Sequence, residues 1–240
     1  MFYEHERTER EASSDAMNTV WPAFCDNGRA VDQAREYLND RELDWDLAEE
    51  NGWYVSKGAD MFGNLRIVIP AKCTKPGHVY WQARAIDPNV KLRYTSPKGL
   101  RHDALVWINA YPNEDETDQV VIVEGPMDAL AAACAGFDAI ALMGITPPDS
   151  TLDVLAKIVN KRRCLVLLDS EPAAQGAAIR IVMRLASQGG KAGLTTLGTL
   201  GKDLAACSPE QRLNFLDRAF NAMERRQWHW QPKPSLLKSA

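Results

Sequence analysis

Residues 120–136 read VVIVEGPMDALAAACAG. Four branched residues, Val120–Val123, are cut by Gly125-Pro126 and followed by an alanine-rich stretch that ends at Gly136. Branched side chains suit a strand, alanine suits a helix, and proline is tolerated in a first helical turn. The stretch is therefore a strand, a turn and a helix, with Glu124 at the strand's carboxyl end and Asp128 one turn into the helix. The same alternation continues downstream. Ala139–Met143 is a second apolar run, followed by Pro147-Pro148-Asp149 and a helical pattern at Leu152, Leu155, Ile158 and Val159. Cys164–Leu168 is a third, with a helix from about Ala173 closed by Gly189-Gly190, and Ala192–Leu197 is a fourth. Continuous apolar strands alternating with helices over short connections specify an α/β fold, a parallel sheet covered on both faces.

Outward from this unit the pattern changes. Residues 1–30 are polar and aperiodic, and read as an arm. Val31, Ala34 and Leu38, then Leu43 and Leu47, suggest two short helices. Leu65–Ile69, ending at Pro70, and His78–Ala83, after a Lys75-Pro76-Gly77 turn, read as an antiparallel pair. The charged run Asn113–Asp118 marks a boundary, so a smaller α+β unit is expected over 31–115 and the parallel unit over 116–206. Residues 207–240 are expected to form a helix and tail. Ser208-Pro209-Glu210-Gln211 is a capping box, and Leu213, Leu216, Phe220 and Met223 give that helix one apolar stripe. Trp228–Pro234 reads as an exposed tail, with docking to a partner as the alternative.

Composition narrows the class. The chain has 240 residues, 45% hydrophobic and 25% charged, with a formal net charge of -4. These are the proportions of a globular protein. No run approaches the roughly 20 apolar residues of a membrane span, and the charged N-terminus lacks the apolar stretch of a signal peptide, so a cytoplasmic protein is expected. Five scattered cysteines, no CxxC and four histidines exclude a zinc ribbon on this chain. The acidic balance excludes a strong overall positive field, though not a local basic groove.

The carboxyl ends of the strands carry the chemistry. Glu124 and Asp128 follow the first strand, Asp169 and Glu171 the third. Neighbouring strands lie about 5 Å apart, so these groups can converge, and repulsion would raise their pKa values unless a hard divalent cation relieved it. Oxygen-only ligands suit Mg²⁺ or Mn²⁺, the usual machinery of phosphoryl transfer. Glu-Gly and Asp-Ser are also ordinary strand-ending turns, so residue types alone leave both readings open.

The residues around these acids carry a resemblance. Val123–Asp128 resembles the VEGxxD element of TOPRIM domains, Ala141–Thr146 the Gly/Thr element after the second strand, Leu168–Ala178 the DxDxAGxxAA element, and Gly201-Lys202-Asp203 a closing GKD. Upstream, Ala34–Arg41 (AREYLNDR), Leu65–Pro70 (LRIVIP), Trp81–Asp87 (WQARAID) and Leu92–Lys98 (LRYTSPK) resemble elements that open the DnaG-type primase polymerase core. The resemblance covers roughly residues 31–206. It departs from the family at Glu171, where Asp is usual, at Ala174, where Gly is usual, and at Arg93, where Lys is usual. It implies a TOPRIM domain behind a smaller α+β primase subdomain, of phage or mobile-element type, without zinc-binding or helicase domains.

That resemblance implies a DNA-directed RNA primase core joining NTPs on single-stranded DNA. Glu124 would bind metal or act as general acid/base, Asp169 and Glu171 would hold Mg²⁺ or Mn²⁺, and Asp128 and Asp203 would complete the cluster. Arg66, Arg84, Lys91, Arg93 and Lys98, with Lys202, would contact template or triphosphate; read without the resemblance, the first five are a solvated basic face. Tyr80, Trp81 and Tyr94 read as core aromatics. The alternatives are a TOPRIM nuclease and a non-catalytic core that binds nucleic acid or a replication partner. A separate helicase or single-strand-binding protein is the expected partner, in the host cytoplasm if the source is viral.

Overall fold

A computed structural model describes residues 21–25, 27–74, 79–97, 103–112, 117–159 and 161–225. The Lys75–Gly77 turn, Lys98, both His78 and His102, most of the Asn113–Asp118 run and the Trp228–Pro234 tail lie outside them.

Two helices open the described chain, α1 (Gly28–Asn39) and α2 (Trp45–Glu50). Each is capped by a side chain at its start: Asn27 accepts from the N–H of Arg29 and Asp44 from that of Asp46. Strands β1 (Tyr54–Ser56), β2 (Arg66–Cys73), β3 (Tyr80–Ala85), β4 (Tyr94–Thr95) and β5 (Ala104–Ile108) follow. The remainder alternates as β6 (Gln119–Val123), α3 (Pro126–Cys134), β7 (Asp138–Ala141), α4 (Asp149–Val159), β8 (Arg163–Leu167), α5 (Pro172–Ser187), β9 (Lys191–Thr195) and α6 (Pro209–Arg225).

Among the described residues every strand joins one mixed sheet, ordered β4-β3-β2-β5-β7-β6-β8-β9, with β1 beside β2. The last four are mutually parallel, as the sequence pattern requires. The front strands are antiparallel, and β5 joins them to the parallel part by pairing antiparallel with β7. The sheet therefore runs unbroken past the charged Asn113–Asp118 run. Side chains alternate across the parallel strands. Val121, Val123, Ala139 and Leu165 pack with α1, α2, α3 and α6 on one face, while Val120, Ile122, Ile140 and Val166 pack with α4 and α5 on the other.

β2 does not stop at Pro70 as the sequence suggests. The Ala85 N–H bonds the Arg93 carbonyl, away from β2, so alternation along the Arg66–Ala85, Val68–Ala83 and Pro70–Trp81 pairs turns the Pro70 nitrogen away from β3. On that outer side β1 pairs only through Val68 and β5 only from Lys72, and the missing donor costs no ladder bond.

The expected capping box forms: the Ser208 N–H donates to Gln211 Oε1 and the Gln211 N–H to Ser208 Oγ. α6 then packs on the sheet. Phe220 stacks on Phe137 with centroids 5.4 Å apart, and a Cβ on Gly193 would stand 3.0 Å from Met223 Sδ. Tyr80 and Trp81 are core residues, as expected.

Arg66 is a correction. Its side chain is 1% exposed, and its guanidinium donates to Asp60 and to the carbonyls of Ala83, Leu92 and Arg93. All of its donor nitrogens serve the front sheet, leaving none aimed at a phosphate. The sequence shows an arginine at a strand start and not the loop that folds back over it. Removing one partner of a buried pair leaves an uncompensated charge, at about 3–5 kcal/mol. Asp60→Ala is expected to lower unfolding stability by that amount, measured by urea denaturation.

Candidate active site

The order β7-β6-β8-β9 places the parallel strands in a two-one-three-four arrangement, and the crevice where such an order reverses opens at the carboxyl ends of β6 and β8. Val123 and Leu167 are register partners there, so the residues after them, Glu124 and Leu168-Asp169-Ser170, meet at one mouth. The loop after β9 completes the crevice with Leu197, Gly198 and Gly201-Lys202-Asp203. Its internal space is about 20 Å³, enough for an ion or a water molecule and for little more.

Glu124, Asp128, Asp169, Lys202 and Asp203 thus share one crevice. Glu171 stands outside its lining, exposed at the N-cap of α5, where its side chain makes no capping hydrogen bond. Its charge still reaches Asp169. Burial raises the Asp169 carboxyl, the charges of Asp203 and Glu171 raise it further, and Lys202 opposes them. Asp128 is pushed up to about 6, first by burial and then by Asp203 and Asp169, against the opposing N–H of Ala205.

Asp128 does structural work. Its Oδ1 accepts from the Ala205 N–H at 3.0 Å and so ties α3 to the Gly201–Asp203 loop. Asp203 Oδ1 accepts from the Ala206 N–H at 2.9 Å and caps the short 3-10 turn Leu204–Ala206. Gly201 passes Cys207 closely enough that a Cβ would stand 2.9 Å from its Sγ. The sequence gives no hint of Arg212, buried in α6, which donates to the carbonyls of Leu204, Ala205, Arg41 and Glu42. One guanidinium therefore joins the crevice loop to the α1–α2 turn. Only the fold brings those four carbonyls together, so no sequence signal marks it.

A second cleft, of about 530 Å³, lies between α1 and the ends of β2 and β3; Arg41, Arg84 and Arg93 line it together with Glu36, Asp40 and Asp87, so its charges balance. Arg84 donates to the Tyr37 hydroxyl at 2.7 Å and lies 4.7 Å from the Tyr94 ring centroid. Arg41 covers the other ring, 3.9 Å from the Tyr37 centroid. Tyr94 stands outside the lining of both openings. Burial pushes its hydroxyl to about 12, Arg84 opposes the rise, and the charge of Asp128 adds to it. Sequence reading left Tyr94 as a core aromatic, whereas it is a half-buried partner of Arg84. Lys91, Arg93 and Lys202 are exposed.

Among the described residues, no three His, Cys, Asp or Glu side chains form a ready-made ion cluster. The donor set nevertheless fits a hard divalent ion. The acidic donors lining the crevice are carboxylates, and Asp169 is raised first by burial and then by the charges of Asp203 and Glu171, both of which a cation would offset. Mg²⁺ usually keeps several waters and takes only one or two carboxylates, so a full protein cage is not required. All five cysteines are free thiols.

Residues 121–205 match the Toprim-like family model. No curated protein matches the chain. The RNA polymerase domain of Mycobacterium tuberculosis primase DnaG superposes with a TM-score of 0.54 at 16% identity, covering 92% of this chain and 83% of that one. The primase fragment of the bacteriophage T7 primase-helicase gives 0.53 at 18% identity, over 77% and 71%. The zinc-binding and RNA polymerase domains of Aquifex aeolicus primase give 0.52 at 17%, over 82% of this chain and 59% of that one. The chain thus carries a Toprim-like domain within the fold of primase polymerase cores.

The elevated Asp128 carboxyl has a measurable consequence. Between its ordinary value near 4 and its folded value near 6 the folded state binds more protons, so stability falls as pH rises through that window. Asp128→Asn keeps an acceptor for Ala205. It is expected to remove that fall and to raise the melting temperature at pH 8, measured by thermal denaturation from pH 4 to 8.

Proposed function

We propose that this chain, a Toprim-like domain set in a primase-core fold, is a DNA-directed RNA primase core that joins NTPs into short primers on single-stranded DNA. The observation that carries the reading is the crevice between β6 and β8, where Glu124, Asp169 and Asp203 share one mouth with Lys202. The second cleft in the front sheet, where Arg41, Arg84 and Arg93 stand among Glu36, Asp40 and Asp87, supports it, because a nuclease has no need of that second opening.

Glu124 stands at the crevice mouth, where it would accept the proton of an attacking 3′-hydroxyl. Lys202 would meet the charge of the triphosphate lying across that mouth. Glu124, Asp169 and Asp203 would hold Mg²⁺ or Mn²⁺, with Glu171 in electrostatic reach, and the ion would supply charge neutralisation on the phosphates. Asp128 keeps the Gly201–Asp203 loop seated on α3 and is better assigned to positioning than to chemistry. Arg84 and Arg93 line the second cleft and would bind template or triphosphate, with Lys91 and Lys98 as further candidates.

Partners follow from charge. A chain of net charge -4 holds a polyanion weakly, which favours help from a helicase or single-strand-binding protein. Among the described residues no helix is long and apolar enough to cross a membrane. A cytoplasmic setting, in the host if the source is viral, agrees with replication work.

Primer synthesis on mixed-sequence single-stranded DNA with labelled NTPs and Mg²⁺ or Mn²⁺ tests the proposal. Short labelled products are expected from the intact chain, with at least a 100-fold loss in Glu124→Gln, the lower end for a positioned acid–base group. Shortened template without product would assign a nuclease instead. In a separate thermal titration, either ion is expected to raise the melting temperature, with a smaller rise in Asp169→Asn.

A further inference from the structure

The loop between β1 and β2 holds two apolar side chains in solvent, Met61 at 88% exposure and Phe62 at 78%. The loop itself is tightly built. The Asp60 carboxylate accepts from the N–H groups of Phe62 and Asn64 and from the Asn64 side chain, while its second oxygen takes Arg66 Nε at 2.5 Å. The same guanidinium donates to the carbonyls of Leu92 and Arg93, so a second tip, with Leu92 at 59% exposure, is pinned to the first.

Cations lie near these side chains along the chain. Lys57 precedes the loop, Lys91 and Arg93 flank Leu92, and all three are exposed. The acid within the loop, Asp60, is paired with Arg66 and its side chain is 6% exposed, while Asp87, in the lining of the Arg84 cleft, is exposed. Leu65, at the loop's end, and Arg93 also line the Arg84 cleft. Trp21 and Phe24 lie on a segment that borders the loop, with the Ala23 nitrogen 3.8 Å from where a Gly58 Cβ would be. They are 46% and 59% exposed.

Exposed rings beside lysine and arginine are how proteins hold single strands, the cations tracking phosphates while the rings stack on bases. We propose that Phe62 is a stacking platform for the single-stranded nucleic acid that reaches the Arg84 cleft, with Lys57, Lys91 and Arg93 holding its phosphates. The inference rests on the primase reading for the identity of the strand. Pre-ordering by Asp60 and Arg66 lowers the entropy cost of presenting the ring, which is why a buried ion pair underlies an exposed phenylalanine.

The test is binding of the full chain to a labelled 20-nucleotide mixed-sequence DNA strand, by fluorescence anisotropy at fixed salt, alongside the primer assay. Phe62→Ala and Phe62→Leu are expected to weaken binding about 5- to 150-fold, the range for one lost base stack, and Phe62→Tyr by less than about twofold. Lys91→Gln is expected to lessen the salt dependence. Unchanged affinity in Phe62→Ala, with primers still made by the parent, overturns the platform alone and points to a protein partner at this loop. Full affinity in Phe62→Leu overturns stacking in favour of plain apolar contact. A parent chain that binds no strand and makes no primer overturns both readings.

Discussion

Glu124, Asp128, Asp169 and Asp203 line one crevice at the carboxyl ends of β6 and β8, and burial, with their mutual repulsion second, is the constraint the surrounding chain must meet. Two of the four answer by holding their protons more tightly, Asp128 to about 6. The others stand where solvent or a cation reaches them. Backbone donors take part of the load: Ala205 serves Asp128 and Ala206 serves Asp203, so the loop that closes the crevice is held by the acids it encloses. Arg212 secures the same loop from beneath by binding the carbonyls of Leu204 and Ala205. The acidic site and its scaffold are therefore one network.

That network also couples the two halves of the chain. Arg212 reaches Arg41 and Glu42 beyond α1, whose Tyr37 accepts from Arg84 in the second cleft. Tyr94, beneath Arg84, feels the charge of Asp128. The sheet adds a second connection, since β5 pairs with β2 on one side and β7 on the other. The acidic crevice and the Arg84 cleft are thus fixed relative to each other by a continuous sheet and by a guanidinium in α6.

Much of this was legible in the residues. The Val120–Gly136 stretch gave a strand, a turn and a helix, and its alternation with three further units gave the parallel sheet, because apolar periodicity reports burial directly. The capping box at Ser208–Gln211 was equally readable, since its partners are three residues apart. Glu124, Asp128, Asp169 and Glu171 could be grouped because strand ends on one side of a parallel sheet face the same way, whereas Asp203 was named only through the resemblance of Gly201-Lys202-Asp203; the crevice holds all of these but Glu171.

Other features depend on contacts distant in sequence. Arg66 looked like a surface cation until Asp60 and three carbonyls closed around it, and Arg212 carried no mark of the four carbonyls it binds. β2 ran through Pro70 because its neighbours leave a gap at that position. Tyr94 gained its role only when β4 was laid against β3 and Arg84 came beneath its ring. Local pattern thus determined the elements and the strand ends that carry acid. Long-range pairing decided which cations stay in solvent and which are spent on the backbone, because a guanidinium's partners are set by three-dimensional proximity and leave no periodic trace in the chain.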